Sequence, residues 1–162
     1  MPIKNIDPGK ITKENLYDLI RDVWDNHMPF HRHINQKVLK FDSESAEIYI
    51  KNNDNIIIED SIKHLHGGVI AALLDNTGAL LALTYFVEKH SNFNIEYIVD
   101  KSQKIATLDL NINYLQPGAG QEFTCRGKLL NGSKRLVLAA MELRNEKNDL
   151  IAMATGKYMI SI

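Results

Sequence analysis

The chain has 162 residues, 44% hydrophobic and 24% charged, the size and balance of one globular domain with enough apolar residues to bury a core. A formal net charge of -1 argues against a nucleic-acid binder, which would carry a basic surplus or stripe. With Cys125 the only cysteine, an intrachain disulfide and a multi-cysteine metal site are both excluded.

Residues 1–10 read as a loose lead-in broken by Pro2 and Pro8, with a single domain over 11–162. The opening MPIKNIDPGKITKENLY has no apolar core of a secretory signal, so the expected setting is the reducing cytoplasm. After Thr12, the spacing of Leu16, Leu19, Ile20, Val23 and Trp24 predicts an amphipathic helix of about four turns, ending before Pro29. In Asn26–Ile34, His27, His31 and His33 could be read as metal ligands. No carboxylate or cysteine stands at ligand spacing beside them, so a helix-to-strand corner with Phe30 in the core is the expectation, and no metal or cofactor is expected. Two strands follow, Val38–Phe41 and Ala46–Lys51, joined by a turn at Asp42–Ser45. Ile56–Ile62 is ambiguous.

Lys63–Thr84, KHLHGGVIAALLDNTGALLALT, dominates the chain. From Gly68 to Thr84 it predicts about 25 Å of helix, apolar on nearly every face and therefore buried nearly all round. Asp75 interrupts that run, and a carboxylate there is costly unless it is paired, protonated or used. Asp75, Asn76 and Thr77 also argue against a membrane span. His66-Gly67-Gly68 stands at the start, where glycines allow close approach and backbone N–H groups favour an anion.

Tyr85–Gln103 reads as a long excursion, with a short helix near Asn92–Val99, of the kind that often forms a lid over a ligand. Thr107–Tyr114 alternates apolar and polar residues without a slip, predicting a strand with one dry and one wet face. Glu122–Leu130, a hairpin turn at Asn131-Gly132, Lys134–Asn145 and Leu150–Ile160 complete four strands expected to form an antiparallel meander. The third, apolar on both faces around Leu136–Met141, should lie in mid-sheet. The fold class is therefore α+β: a curved antiparallel six-stranded sheet wrapped around a central apolar helix, with an extra N-terminal helix and one helix side left to face another layer or subunit.

Spacing carries a second inference. Asp75 lies seven to eight residues beyond the glycines, roughly 10 to 12 Å along one helix. A reacting carbonyl must sit about 3 Å from both donor and base. If the two groups cooperate, two chains must lay their helices antiparallel, with Asp75 of one facing Gly67 and Gly68 of the other.

His66-Gly67-Gly68 with Asp75 nine residues after the histidine, together with the flanking strand pattern, resembles the hotdog-fold acyl-CoA thioesterases of the phenylacetate-pathway (PaaI-like) type. His27-Met28-Pro29-Phe30, Leu65–Ala71, Thr107–Leu110, Tyr114–Gly118 and Ala152–Thr155 extend the similarity to the medium- and long-chain acyl-CoA thioesterases. The resemblance implies the hotdog fold and hydrolysis of hydrophobic acyl-CoA to free acid and CoA. It also implies an active site at a homodimer interface, in a dimer of dimers. Asp75 would be the catalytic residue, as general base or as nucleophile. Gly67 and Gly68 would polarise the carbonyl through their N–H groups, with His66 helping to position it. Some members carry an Asn before the glycines to place the water. Glu59, Asp60, Ser61 and His64 occupy that stretch here, with no clear equivalent. Lys134 and Arg135 are the candidate cations for the CoA phosphates. Leu80, Phe86 and Phe93 are the candidates for lining the acyl chain, and Thr84 for reaching the site from the helix end. Each has a plainer reading: Asp75 as a buried acid paired with Asn76, Thr77 or a strand residue, Lys134 and Arg135 as a solvated hairpin end, and Thr84 bonded back to its own helix. The competing function is a non-catalytic acyl-CoA or acyl-carrier-protein thioester binding module on the same fold.

Overall fold

A computed structural model describes residues 12–89 and 104–160. The lead-in, Phe93 and the short helix expected near Asn92–Val99 lie outside the described residues.

Helix α1 spans Lys13–Asp22. Thr12 and Asn15 cap it reciprocally: the Asn15 N–H donates to Thr12 Oγ1 (3.2 Å) and the Thr12 N–H to Asn15 Oδ1 (3.3 Å), satisfying two otherwise orphaned amides. A wider π turn continues over Val23–His27 and buries Trp24, and helix α2 follows over Pro29–His33. The expected corner is thus a short helix. It also turns the other way: Phe30 is 50% exposed, while His31 is buried. His31 holds its place because its Nδ1 donates to the Trp24 carbonyl (2.9 Å) and its ring tilts against the Trp24 ring. His27 pairs with Asp22 on the surface and His33 is exposed, so the three histidines do not converge.

Strands β1 (Lys37–Phe41) and β2 (Ser45–Lys51) form the predicted hairpin. Helix α3 runs from Gly67 to Lys89, longer than expected because Tyr85–Lys89 continues it. Strands β3 (Ile105–Tyr114), β4 (Glu122–Gly132), β5 (Leu136–Asn145) and β6 (Leu150–Ile160) follow. The sheet order is β1-β2-β4-β5-β6-β3. The last four strands are therefore not a sequential meander: β4, β5 and β6 are, but β3 pairs with β6 at the far edge while β2 pairs with β4. β5 lies in mid-sheet as expected. The Asn131-Gly132 signal is also displaced. Both residues stay in β4, paired with Leu138 and Val137 after a bulge, and the turn is Ser133–Arg135. The glycine serves packing there, since a Cβ on Gly132 would stand 2.3 Å from the Tyr85 ring.

The sheet's inner face and α3 enclose one core, to which α1 and the π turn add Leu16, Ile20 and Trp24. By length and composition α3 could cross a membrane. Here Leu73, Leu74, Leu80, Leu81 and Val87 on it are fully buried in that core. Its half-buried positions Ala71, Ala72, Asp75, Asn76 and Ala79 form one stripe, the side the sheet leaves uncovered.

The two sheet edges differ. On β1, Arg21 donates to the Val38 carbonyl (2.6 Å) and Asp25 accepts the Val38 N–H (2.8 Å), which blunts that edge. β3 pairs only with β6 among the described residues, and leaves Leu108 and Tyr114 half exposed. Its expected dry face is therefore only partly dry.

Candidate active site

The start of α3 is fastened from three sides. The His66 N–H donates to the Ile56 carbonyl and the Leu65 N–H to the Gly118 carbonyl, both at 2.8 Å. The Tyr114 hydroxyl donates to the Gly67 carbonyl at 3.1 Å. Gly118 permits this closeness, because a Cβ there would meet the Leu65 carbonyl oxygen at 2.8 Å.

His66 acts on the helix end itself. Its Nδ1 accepts the Gly68 N–H at 3.0 Å. An accepting Nδ1 carries no proton, so the neutral ring holds its proton on Nε2. Of the two glycine amides expected to face a carbonyl, Gly68's is therefore taken. The Gly67 N–H has no acceptor among the described residues, and the exposed His66 ring offers a second donor beside it.

Asp75 sits on the uncovered stripe of α3, half buried. Its Oδ1 accepts a hydrogen bond from Thr107 Oγ1 at 2.9 Å. Sequence periodicity put Thr107 with Asp109, Asn111 and Asn113 on the polar face of β3. A bulge reverses this. Thr107 pairs with Tyr158 and Asp109 with Lys157, so Leu108 is the extra residue without a partner. One extra residue flips every side chain before it to the opposite face. Thr107 thereby turns inward with Tyr158, toward Asp75, while Leu108 is pushed out to 53% exposure. Asp109, beyond the bulge, points outward and pairs with Lys157 at 3.2 Å.

The expected site residues lie at two levels of one helix. Gly67 is at its start and Asp75 eight residues on, roughly 12 Å along the axis. One chain offers two half-sites, an amide-and-imidazole end and a carboxylate-and-hydroxyl middle.

The family description "Thioesterase superfamily" matches residues 62–152. The chain belongs to the thioesterase superfamily. Its enzyme class is accordingly thioester hydrolase. It is 31% identical over 150 residues to the medium/long-chain acyl-CoA thioesterase YigI of Escherichia coli, covering 93% of this chain and 97% of that one. A solved structure from Shewanella oneidensis, described as related to the thioesterase superfamily, superposes with a TM-score of 0.85 at 32% identity, covering 91% of this chain and 97% of the other. A thioesterase of Haemophilus influenzae shares the fold at 19% identity, with a TM-score of 0.67 and coverage of 94% and 92%. The sheet wrapped on a long helix is the hotdog-like fold of these relatives.

Within this thioesterase, the other expected residues lie apart from Asp75. Thr84 is fully buried, and its hydroxyl donates to the Leu80 carbonyl at 2.7 Å. That is the plainer of its two readings, because a threonine in an apolar helix satisfies its hydroxyl on the preceding turn. Leu80 and Phe86 are closed into the core, 0% and 2% exposed, so neither presents a surface to an acyl chain. Lys134 and Arg135 are exposed in the β4–β5 turn. That turn lies over the C-terminal end of α3, where Gly132 receives Tyr85 and the Ile160 N–H donates to the Arg135 carbonyl. Thr107 and Tyr114 are the two site residues that sequence reasoning missed. The bulge at Leu108, which turns Thr107 to the inner face, could not be read without the partner strand.

Proposed function

We propose that this thioesterase hydrolyses medium- to long-chain acyl-CoA to free acid and CoA. The observation that carries the reading is Asp75. It is a half-buried carboxylate on an otherwise apolar helix, held by the Thr107 hydroxyl, in a helix whose first amide has no acceptor among the described residues. Asp75 acts on the carbonyl carbon, as base to a water or as nucleophile. Thr107 fixes the carboxylate and stands in for the absent upstream Asn. The Gly67 N–H, aided by the helix dipole and by His66 Nε2–H, receives the oxygen that becomes negative.

The separation of roughly 12 Å between the two half-sites supports a homodimer with antiparallel α3 helices, each active site taking Asp75 from one chain and Gly67 from the other. The stripe of small residues flanking Asp75 lets helices approach closely, and the edge of β3, unpaired among the described residues, offers backbone groups for a second sheet. Lys134 and Arg135, at the far end of α3, are the cations for the CoA phosphates. A dimer of dimers and a cytoplasmic setting, suited to one buried free cysteine, complete the proposal.

The test is release of free CoA from acyl-CoA of increasing chain length. Activity rising toward the longer chains, with Asp75→Asn and Asp75→Ala lowered by about a thousandfold or more, is expected. No turnover of a thioester of any length overturns the reading. Tight acyl-CoA binding without turnover, unchanged in Asp75→Ala, would replace it with a binding module.

A further inference from the structure

Tyr158 is the largest fully buried side chain among the described residues, at 0% exposure. It sits on the inner face of β6, and the chain makes room for it with two glycines. A Cβ on Gly78 would stand 2.1 Å from its hydroxyl oxygen, and a Cβ on Gly156 would stand 2.6 Å from it. The ring is thus threaded between helix and sheet, with its hydroxyl against one turn of α3. That turn is the one that carries Asp75: residues three apart lie on the same helix face, so Gly78 neighbours Asp75. Thr107, the cross-strand partner of Tyr158, bonds the Asp75 carboxylate itself. Both neighbours of Tyr158 therefore frame Asp75. Yet its buried hydroxyl makes no hydrogen bond of good geometry among the described residues. A fully buried, unspent O–H is costly and calls for a use.

We propose that Tyr158 is a positioning residue for Asp75, its buried hydroxyl supplying a second O–H donor to the carboxylate beside that of Thr107. Two donors hold the carboxylate in one orientation, and an O–H donor favours the ionised form of any carboxylate that accepts it. Tyr158 serves as a donor because it stays protonated: burial, then the negative charge of Asp75, pushes its phenol well above the ordinary range. The other groups packed on this turn do not compete for the role. β4 brings the Cys125 thiol, neutral because burial pushes it up to about 12. The inner positions of β5 and β2 are the apolar Val137, Ala139, Met141, Leu143, Ala46, Ile48 and Ile50. Glu142 acts on Cys125 from β5 but is bound to Arg144 at 3.1 Å. On α3, Asn76 is turned to Gln36, at 2.8 Å.

The inference rests on Asp75 as the reacting carboxylate, and its test includes a readout that needs no turnover. In Tyr158→Phe, the ring stays and only the O–H is lost. kcat should fall roughly tenfold with KM nearly unchanged. The acid limb of the kcat profile should move up by about one pH unit. The Asp75 carboxyl carbon, followed by NMR titration, should shift upward by the same amount. 3-Fluorotyrosine incorporated at position 158, a stronger donor in the same fold, should shift the Asp75 titration downward, and it decides the matter if Tyr158→Phe does not fold. An Asp75 titration unmoved by the fluorinated ring, or by Tyr158→Phe in a folded protein, overturns the proposal whatever happens to kcat. If the wild-type protein turns over no thioester, the functional reading fails, while the titration still reports on the contact.

Discussion

Gly78→Ala puts one methyl group into the tightest place in the core. In an ordinary helix interior this change is favourable by about 0.5 to 1 kcal/mol, because glycine loses more backbone freedom on folding. Here the new Cβ would lie 2.1, 2.3 and 2.5 Å from the Oη, Cζ and Cε2 atoms of Tyr158. An ordinary contact needs more than 1 Å of further separation. The ring has no room to withdraw: it is 0% exposed, and Gly156 on β6 already meets it from the other side. Overpacking of this kind costs roughly 3 kcal/mol, the upper part of the usual range. Set against a helix gain of about 1 kcal/mol, the net loss is about 2 kcal/mol. For a chain of this size that lowers Tm by roughly 4 to 8 °C. Urea and thermal unfolding of Gly78→Ala, Tyr158→Leu and the double variant give the measurement. In the Tyr158→Leu background the clashing atoms are gone, so Gly78→Ala should become neutral or stabilising, with a coupling of about 2 to 3 kcal/mol between the sites. A Gly78→Ala protein more stable than wild type would refute the packing argument for the Tyr158 slot.

Thr107→Val keeps the shape of the side chain and removes the donor to Asp75. kcat should drop between about tenfold and a hundredfold while Thr107→Ser retains most activity. The exposed bond contributes under about 1 kcal/mol to stability, so an equal loss in the serine variant would count against a role for the hydroxyl. Burial lowers the pKa of His31 below its ordinary 6.5, with the Trp24 carbonyl and Asn76 opposing that shift. The unfolded chain therefore binds this proton before the folded one does, and stability should fall as pH drops through about 6.5 toward the folded value. Denaturation midpoints between pH 7.5 and 5.5 should decline less steeply in His31→Gln, and an unchanged slope would show that His31 is not the group responsible.

The amino-acid sequence by itself determined most of the elements and marked the candidate site residues on them. Periods of 3.6 and 2 residues marked α1, both hairpin strands of the first half, and β4 to β6, since local burial imposes those periods wherever one face is dry. An acid in the middle of an all-apolar helix, and a His-Gly-Gly at its start, singled out Asp75, His66, Gly67 and Gly68 because such groups are costly unless used. Rise per residue alone divided the site into two halves. What depends on a partner strand or on three-dimensional space was decided only by the tertiary structure. β3 crossed to the far edge because strand order is set by long-range pairing rather than by local pattern. The bulge at Leu108 needs the register of β6 to exist at all, and it alone turned a threonine from the wet face to the carboxylate. Gly132, expected in a hairpin turn, gives its space to Tyr85, and Gly78 and Gly156 give theirs to Tyr158. Leu80 and Phe86 looked suited to an acyl chain because they are apolar. Both are buried in the chain's own core, since apolar character drives burial against any apolar neighbour and does not name which one.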